Sequence, residues 1–287
     1  MIPAAFDYTR PASLDEALSL LSNGGGSKVI AGGQSLLPLL KLRLAAADRL
    51  VDIGRLAELK GVRSLPDGRL AVGALTTYAE LLESPARHYG LLKDALPTIG
   101  DIQVRNRGTV GGAIAHADPA SDLPACLLAL DAEVVVRSSG GERTIPITTF
   151  FQDSFQTAIG ENELLTEVRL PGPRDDAGSA YASLEQPASG YAIVGVAAVV
   201  ARPSAGAPIS FATVAITGVG PVAYRATAVE GDLIGTDGSP DAIAHAASHA
   251  TDGITVNSDI HADREYRTAM ATVFTVRAIE AALARLG

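Results

Sequence analysis

Two glycine pairs carry the first chemical signal in this chain: Lys28-Val-Ile-Ala-Gly-Gly-Gln-Ser-Leu36 and Gly108-Thr-Val-Gly-Gly-Ala-Ile-Ala-His-Ala-Asp118. Glycine has no Cβ, so consecutive glycines let backbone N–H groups turn inward and a phosphate approach closely with no cation beneath it. Together the pairs read as two halves of one diphosphate cradle, a shape that fits the pyrophosphate of a dinucleotide. Each alone reads equally as a tight strand-to-loop turn. Gln34 and Ser35 add side-chain donors to the first loop while Leu36-Leu-Pro-Leu-Leu40 continues apolar, which confines polarity to where a ligand would sit. Thr109 places a hydroxyl beside the second pair, and the preceding Arg105 and Arg107 read as solvated surface.

Three further constellations compete for attention. His116-Ala-Asp-Pro-Ala-Ser-Asp122 packs a histidine, two carboxylates and a hydroxyl into one short stretch, enough for metal ligation or acid–base work, and equally a loop capping the helix that begins near Pro124. His245-Ala-Ala-Ser-His249 has the i, i+4 spacing of a zinc-protease pair, but Ala246 stands where the glutamate of H-E-x-x-H belongs, so the pair reads as helix surface. Thr217-Gly-Val-Gly-Pro-Val-Ala223 mimics a nicotinamide fingerprint, yet Pro221 and the absence of a crossover helix mark it as a decoy. Tyr191 opens an apolar strand and either stacks on a planar ligand or caps a sheet edge. Cys126, the one cysteine, sits among leucines and alanines and reads as inert core.

The elements that must position these groups alternate. Ser13 and Glu16 have capping-box spacing ahead of a short amphipathic helix, and residues 28–31 and 49–53 read as strands, giving a small αβ unit over residues 1–54. A second unit has strands at 70–74, 133–137 and 164–170 and helices at 78–82 and 91–96. Pro171-Gly-Pro-Arg-Asp-Asp-Ala-Gly-Ser179 has linker composition. Beyond it come strands at 191–201 and 209–217 and helices at 240–250 and 264–286. The fold class is α+β.

Composition limits the partners. The formal charge of −9 without a basic cluster argues against nucleic acid or an anionic membrane, and no stretch is long and apolar enough to span a bilayer. No signal-peptide pattern opens the chain, so the expected location is cytoplasmic. A single cysteine excludes an internal disulfide and a four-cysteine iron–sulfur site, leaving any such cluster to a partner.

Taken in order, Ala31-Gly-Gly-Gln-Ser-Leu-Leu-Pro-Leu-Leu-Lys-Leu-Arg43, Gln103-Val-Arg-Asn-Arg-Gly-Thr-Val-Gly-Gly112, His116-Ala-Asp-Pro-Ala-Ser-Asp122 and Glu265-Tyr-Arg267 resemble the FAD-binding medium subunit of molybdenum hydroxylases, the xanthine dehydrogenase and aerobic carbon monoxide dehydrogenase family. The resemblance covers nearly the whole chain. It implies a two-part FAD-binding domain of the PCMH/vanillyl-alcohol-oxidase type (residues 1–54 and 55–172), a linker (173–179) and a C-terminal α+β domain of the carbon monoxide dehydrogenase flavoprotein type (180–287). It further implies that Val29, Ile30, Ala31, Gly32, Gly33, Gln34, Ser35, Leu36, Thr109, Val110, Gly111, Gly112, Ala113, Asp118, Asp122, Leu165 and Tyr191 bind FAD, non-covalently since no histidine or cysteine stands where a flavin would attach.

The implied function is electron transfer. A large molybdopterin-binding subunit would oxidise substrate, [2Fe–2S] clusters on a small subunit would relay electrons, and FAD here would pass them to an external acceptor, within a dimer of heterotrimers. No catalytic side chain and no metal ligand is then required of this chain. The sequence departs from the family in three places: a frequent lysine is replaced at or near Ser183, Gln34 stands where carbon monoxide enzymes resemble Ala-Gly-Gly-His-Ser, and the inserted cluster segment of 4-hydroxybenzoyl-CoA reductases is missing. The alternatives are a self-contained PCMH-class FAD oxidoreductase, which needs a base near Tyr191, and an assembly subunit with relic loops.

Overall fold

A computed structural model describes residues 2–23 and 25–286. The first unit is a parallel sheet in the order β1 (Asp7–Thr9), β3 (Arg49–Asp52), β2 (Ser27–Ile30), with α1 (Leu14–Ser22) and α2 (Leu36–Lys41) in the connections. Ser13 caps α1 by accepting from the Glu16 N–H, but the Glu16 carboxylate takes the Ala12 N–H at 2.7 Å, so the reciprocal half of the expected capping box is displaced by one residue. Leu14, Ala17 and Leu18 close a small core against Val51 and Ile53.

The second unit is an antiparallel sheet of β4 (Val62–Ser64), β5 (Leu70–Gly73), β6 (Glu133–Ser138), β7 (Gly141–Pro146) and a late strand, with β8 (Phe151–Asp153) and β9 (Gln156–Thr157) as a side hairpin. That late strand, β10 (Leu164–Leu170), runs between β5 and β6. Five helices are inserted between β5 and β6: α3 (Tyr78–Leu82), α4 (Gly90–Ala95), α5 (Ile102–Arg105), α6 (Val110–His116) and α7 (Asp122–Ala129). Thr77 and Glu80 form a complete capping box on α3, and Asp101 and Thr109 cap α5 and α6.

The third unit is a four-stranded antiparallel meander, β11 (Ala177–Glu185), β12 (Ala192–Ala201), β13 (Phe211–Thr217) and β14 (Tyr224–Arg225), followed by α8 (Thr227–Leu233), α9 (Pro240–Ala247) and α10 (Arg264–Leu283). β11 starts inside the stretch that reads as linker, and neither it nor α8 is evident from the sequence pattern. Both have a physical explanation: β11 is small and polar at most positions, and α8 carries Gly231 and Asp232 in its last turn.

β12 explains why its sequence is continuously apolar. Val194, Val196, Ala198 and Val200 face a core shared with α10, while Ala197 and Val199 face one shared with α4 and α7. A strand covered on both sides has no polar face to alternate. No helix of the described residues is long and apolar enough to cross a membrane.

Candidate functional site

The two glycine loops meet. A Cβ on Gly32 would fall on the Arg107 carbonyl oxygen and 3.1 Å from Gly108 Cα, and one on Gly111 would lie 2.6 Å from Ala74 Cβ. The first glycine of each pair is therefore demanded by the chain's contact with itself. Gly33, at φ +74°, turns the chain after β2 into α2 in a conformation that L side chains rarely adopt.

Backbone hydrogen bonding separates the loops by role. Val110 N–H donates to Thr76 O and Gly111 N–H to Ala74 O, each at 2.9 Å, and Gly112 N–H donates to Thr109 Oγ1 at 3.2 Å. Those amides are spent. Among the described residues, no acceptor on the chain takes the N–H groups of Gly32, Gly33, Gln34 or Ser35. The two halves expected from the sequence are thus unequal: the first loop supplies a run of four free donors, while the second starts a helix at once, keeps only the Thr109 N–H without an acceptor on the chain, and otherwise forms a wall. Unpaired amides of this kind require an acceptor from water or a ligand.

These donors face a cleft of about 600 Å³, within the usual size for a cofactor site. All three units line it. Residues 29–36, Thr109, Gly111, Gly112, Ala113, Asp118, Asp122, Leu165 and Tyr191 are in its wall, so the structure gathers the expected positions from one end of the chain to the other. Val110 is the exception. As the first residue of α6 it points into the core, 1 % exposed, and does not line the cleft. The Gln34 side chain folds back, Nε2 donating to Gly32 O at 3.3 Å, which commits one of its two N–H donors within the loop.

Asp122 is a strongly perturbed group in the wall. It lies at the first turn of α7, 4 % exposed, and burial pushes its carboxyl up to about 7, partly offset by the hydrogen bond that Tyr181 Oη donates to Oδ1. Gly195 makes that contact feasible, because a Cβ there would fall on the Tyr181 hydroxyl. The loop ahead of Asp122 is held from the third unit: Gly218 N–H donates to Pro119 O at 2.8 Å, Ala192 N–H to Ala120 O at 3.2 Å, and Thr217 Oγ1 bridges Pro119 O and Ser121 O. Gly218, read as a decoy, does this work and lies outside the cleft. Beside them the His116 ring packs against Phe155 with centroids 5.1 Å apart and planes tilted by 51°, its Nε2 lies 4.0 Å from Asp118, and burial lowers its pKa.

Tyr191 is 42 % exposed and caps the turn between β11 and β12, where its carbonyl accepts from Gln186 N–H at 2.8 Å. Arg267 braces the following backbone by donating to Ile193 O and Gly218 O, both at 2.7 Å. Arg105 donates to Ile99 O and Gly100 O, and neither it nor Arg107 lines the cleft.

The family described as FAD binding domain in molybdopterin dehydrogenase matches residues 4–173, and that described as CO dehydrogenase flavoprotein C-terminal domain matches residues 179–282. The chain belongs to the FAD-binding medium subunits of the molybdenum hydroxylases. The carbon monoxide dehydrogenase medium chain of Hydrogenophaga pseudoflava is 38% identical to this medium subunit over 288 residues, covering 99% of each chain. Subunit alpha of the 6-hydroxypseudooxynicotine dehydrogenase complex of Paenarthrobacter nicotinovorans is also 38% identical over 288 residues, covering 99% of this chain and 97% of its own. A solved structure of the Hydrogenophaga pseudoflava carbon monoxide dehydrogenase lacking the Mo-pyranopterin moiety of the molybdenum cofactor superposes with a TM-score of 0.95 at 40% identity, covering 100% of both chains. This medium subunit accordingly carries an FAD-binding domain with the PCMH-like fold and is an oxidoreductase subunit.

The cleft also uses residues the sequence did not reveal. Tyr78, Ile99 and Val104 come from the helical insertion, Thr157 from β9 and Ile159 from the loop that follows it. One local signal existed for Tyr78: it follows a capping threonine, and its ring occupies the space beside Gly108, where a Cβ would lie 2.8 Å from Cε2.

Proposed function

We propose that this chain is the electron-transfer subunit of a molybdenum hydroxylase complex, using FAD held in the cleft described above. The observation that carries the reading is the run of unpartnered amides from Gly32 to Ser35 opening into a cleft that all three units build. Those amides would hold the pyrophosphate, the Thr109–Ala113 segment would wall its other side, and Asp122 and Tyr191 would meet the remainder of the cofactor. When bound, FAD supplies the change between two-electron and one-electron chemistry that links iron–sulfur clusters to an acceptor. The chain's own contribution is to bind, orient and shield. Leu165, 5 % exposed, and Ile53, 3 % exposed, keep the inner end dry.

The partners would be a large subunit carrying the molybdenum cofactor and a small subunit carrying [2Fe–2S] clusters, assembled as a dimer of heterotrimers in the cytoplasm. Two relatives of equal identity are named for different substrates, carbon monoxide and 6-hydroxypseudooxynicotine, which supports assigning substrate choice to the large subunit. Co-production with the neighbouring genes and capture of this chain tests the reading. The expected eluate contains FAD, iron and molybdenum with one larger and one smaller chain, and substrate added to it bleaches the flavin absorbance. FAD on an unaccompanied chain that oxidises substrates by itself would overturn it.

A further inference from the structure

We propose that Asp232, His245 and His249 form a binding site for one divalent transition-metal ion, Zn²⁺ by preference, on the third unit and away from the flavin cleft. The two imidazoles sit one turn apart, His245 inside α9 and His249 just after it, and Asp232 comes from the last turn of α8. One ligand atom from each lies within 4.8 Å of the others. His249 Nε2 is 3.7 Å from Asp232 Oδ2. That separation is too long for a hydrogen bond and close to the edge of about 3.3 Å that bonds of about 2.0–2.1 Å impose between two ligands of tetrahedral zinc.

The orientation of His249 argues in the same direction. Its Nδ1 lies 2.7 Å from Asp252 Oδ2, so that nitrogen is committed to a carboxylate while Nε2 is aimed at Asp232. A histidine that ligates a metal is ordinarily held by such an outer carboxylate, which fixes its tautomer and direction. Two imidazoles and one carboxylate form a borderline-soft set suited to Zn²⁺, Co²⁺ or Ni²⁺ and poorly suited to Mg²⁺ or Ca²⁺. None of the three residues lines the flavin cleft. The bound ion would clamp α8 to the end of α9.

The test uses the untagged full chain, dialysed against chelator, titrated with Zn²⁺ against a chromogenic indicator and with Co²⁺ while its visible absorption is followed. One equivalent should bind. Asp232→Ala, His245→Ala and His249→Ala should each weaken binding at least tenfold, Asp252→Asn several-fold, and His88→Ala and His261→Ala not at all. Zn²⁺ should raise the melting temperature of the wild type and leave that of His249→Ala unchanged, since only the folded site binds. All substituted side chains lie at the surface, so retained FAD confirms that each variant is folded. Equal Zn²⁺ affinity in wild type and all three variants, or no saturable binding, would overturn the proposal, as would selective loss in the His88 or His261 variant.

Discussion

The chemistry of the cleft turns on Asp122 and on two residues that sequence inspection passed over. The motif His116-Ala-Asp-Pro-Ala-Ser-Asp122 makes the aspartate visible, but its partner Tyr181 lies 59 residues later and the Gly195 that makes room for the hydroxyl lies later still. Such contacts have no local signature. Their consequence is measurable on the flavin-free chain. Because burial lifts the carboxyl from its ordinary 3.8 to about 7, the native state holds a proton there that the unfolded chain has already released. Its contribution to stability is complete below the lower value and is lost as pH rises through the upper one, at about 1.4 kcal/mol per pH unit inside the window. Asp122→Asn stays neutral and removes that slope. Urea melts from about pH 5 to about pH 8 should show wild type losing stability relative to the variant, and parallel curves would refute the assignment. Tyr181→Phe deletes a donor to the carboxylate and should move the upper edge of the window to higher pH, the lower edge staying where the unfolded chain titrates.

At the scale of elements, the sequence marks both glycine pairs, and the structure adds how each loop uses its amides. Their sequence suggests two halves of one cradle with Gln34 and Ser35 side chains as added donors, whereas the Val110, Gly111 and Gly112 amides of the second loop are taken by the chain itself and Gln34 folds back on the first. Two substitutions separate amide from side chain. Gln34→Ala keeps its N–H and should leave FAD stoichiometry unchanged. Gly33→Val places a β-branched residue at φ +74°, a strain of about 1–3 kcal/mol, and should strip the flavin. Absorbance of the purified chains decides, and flavin retained by Gly33→Val would sink the role given to this loop. Strong periodic strands such as Leu164–Leu170 were readable, but β11 was not, because Gly178, Ser179 and Ser183 interrupt its pattern and only pairing with β12 selects the extended form.

The whole molecule is less divided than its linker suggests. Composition marks residues 171–179 as a linker at a domain boundary, and across it β12 buries Ala197 and Val199 in the same core as Leu91 of α4 and Leu127 of α7. Two ion pairs also cross between these units, Arg225 to Asp131 and Arg285 to Asp94, the latter at 2.6 Å, but Asp131 is 50 % and Arg285 42 % exposed, and pairs of that kind contribute about 0–1 kcal/mol each. A valine buried as fully as Val199 contributes about 1.5–3 kcal/mol, so apolar contact dominates the junction. The third unit in turn holds Pro119, Ala120 and Ser121 by backbone and hydroxyl contacts, which fixes the approach of Asp122 to the cleft. Stability of the junction and flavin retention should therefore fall together. Ala197→Asp puts an unpaired charge into a position with 0 % exposure and should lower the melting temperature and the FAD content in step. Arg285→Ala should change the melting temperature little and keep the full flavin complement. Calorimetry with flavin absorbance on the same samples checks both. A chain that melts in two independent steps, or an Ala197→Asp variant that keeps its flavin while the third unit unfolds, would show that the cleft is complete without β12 and that the C-terminal unit is only attached to it.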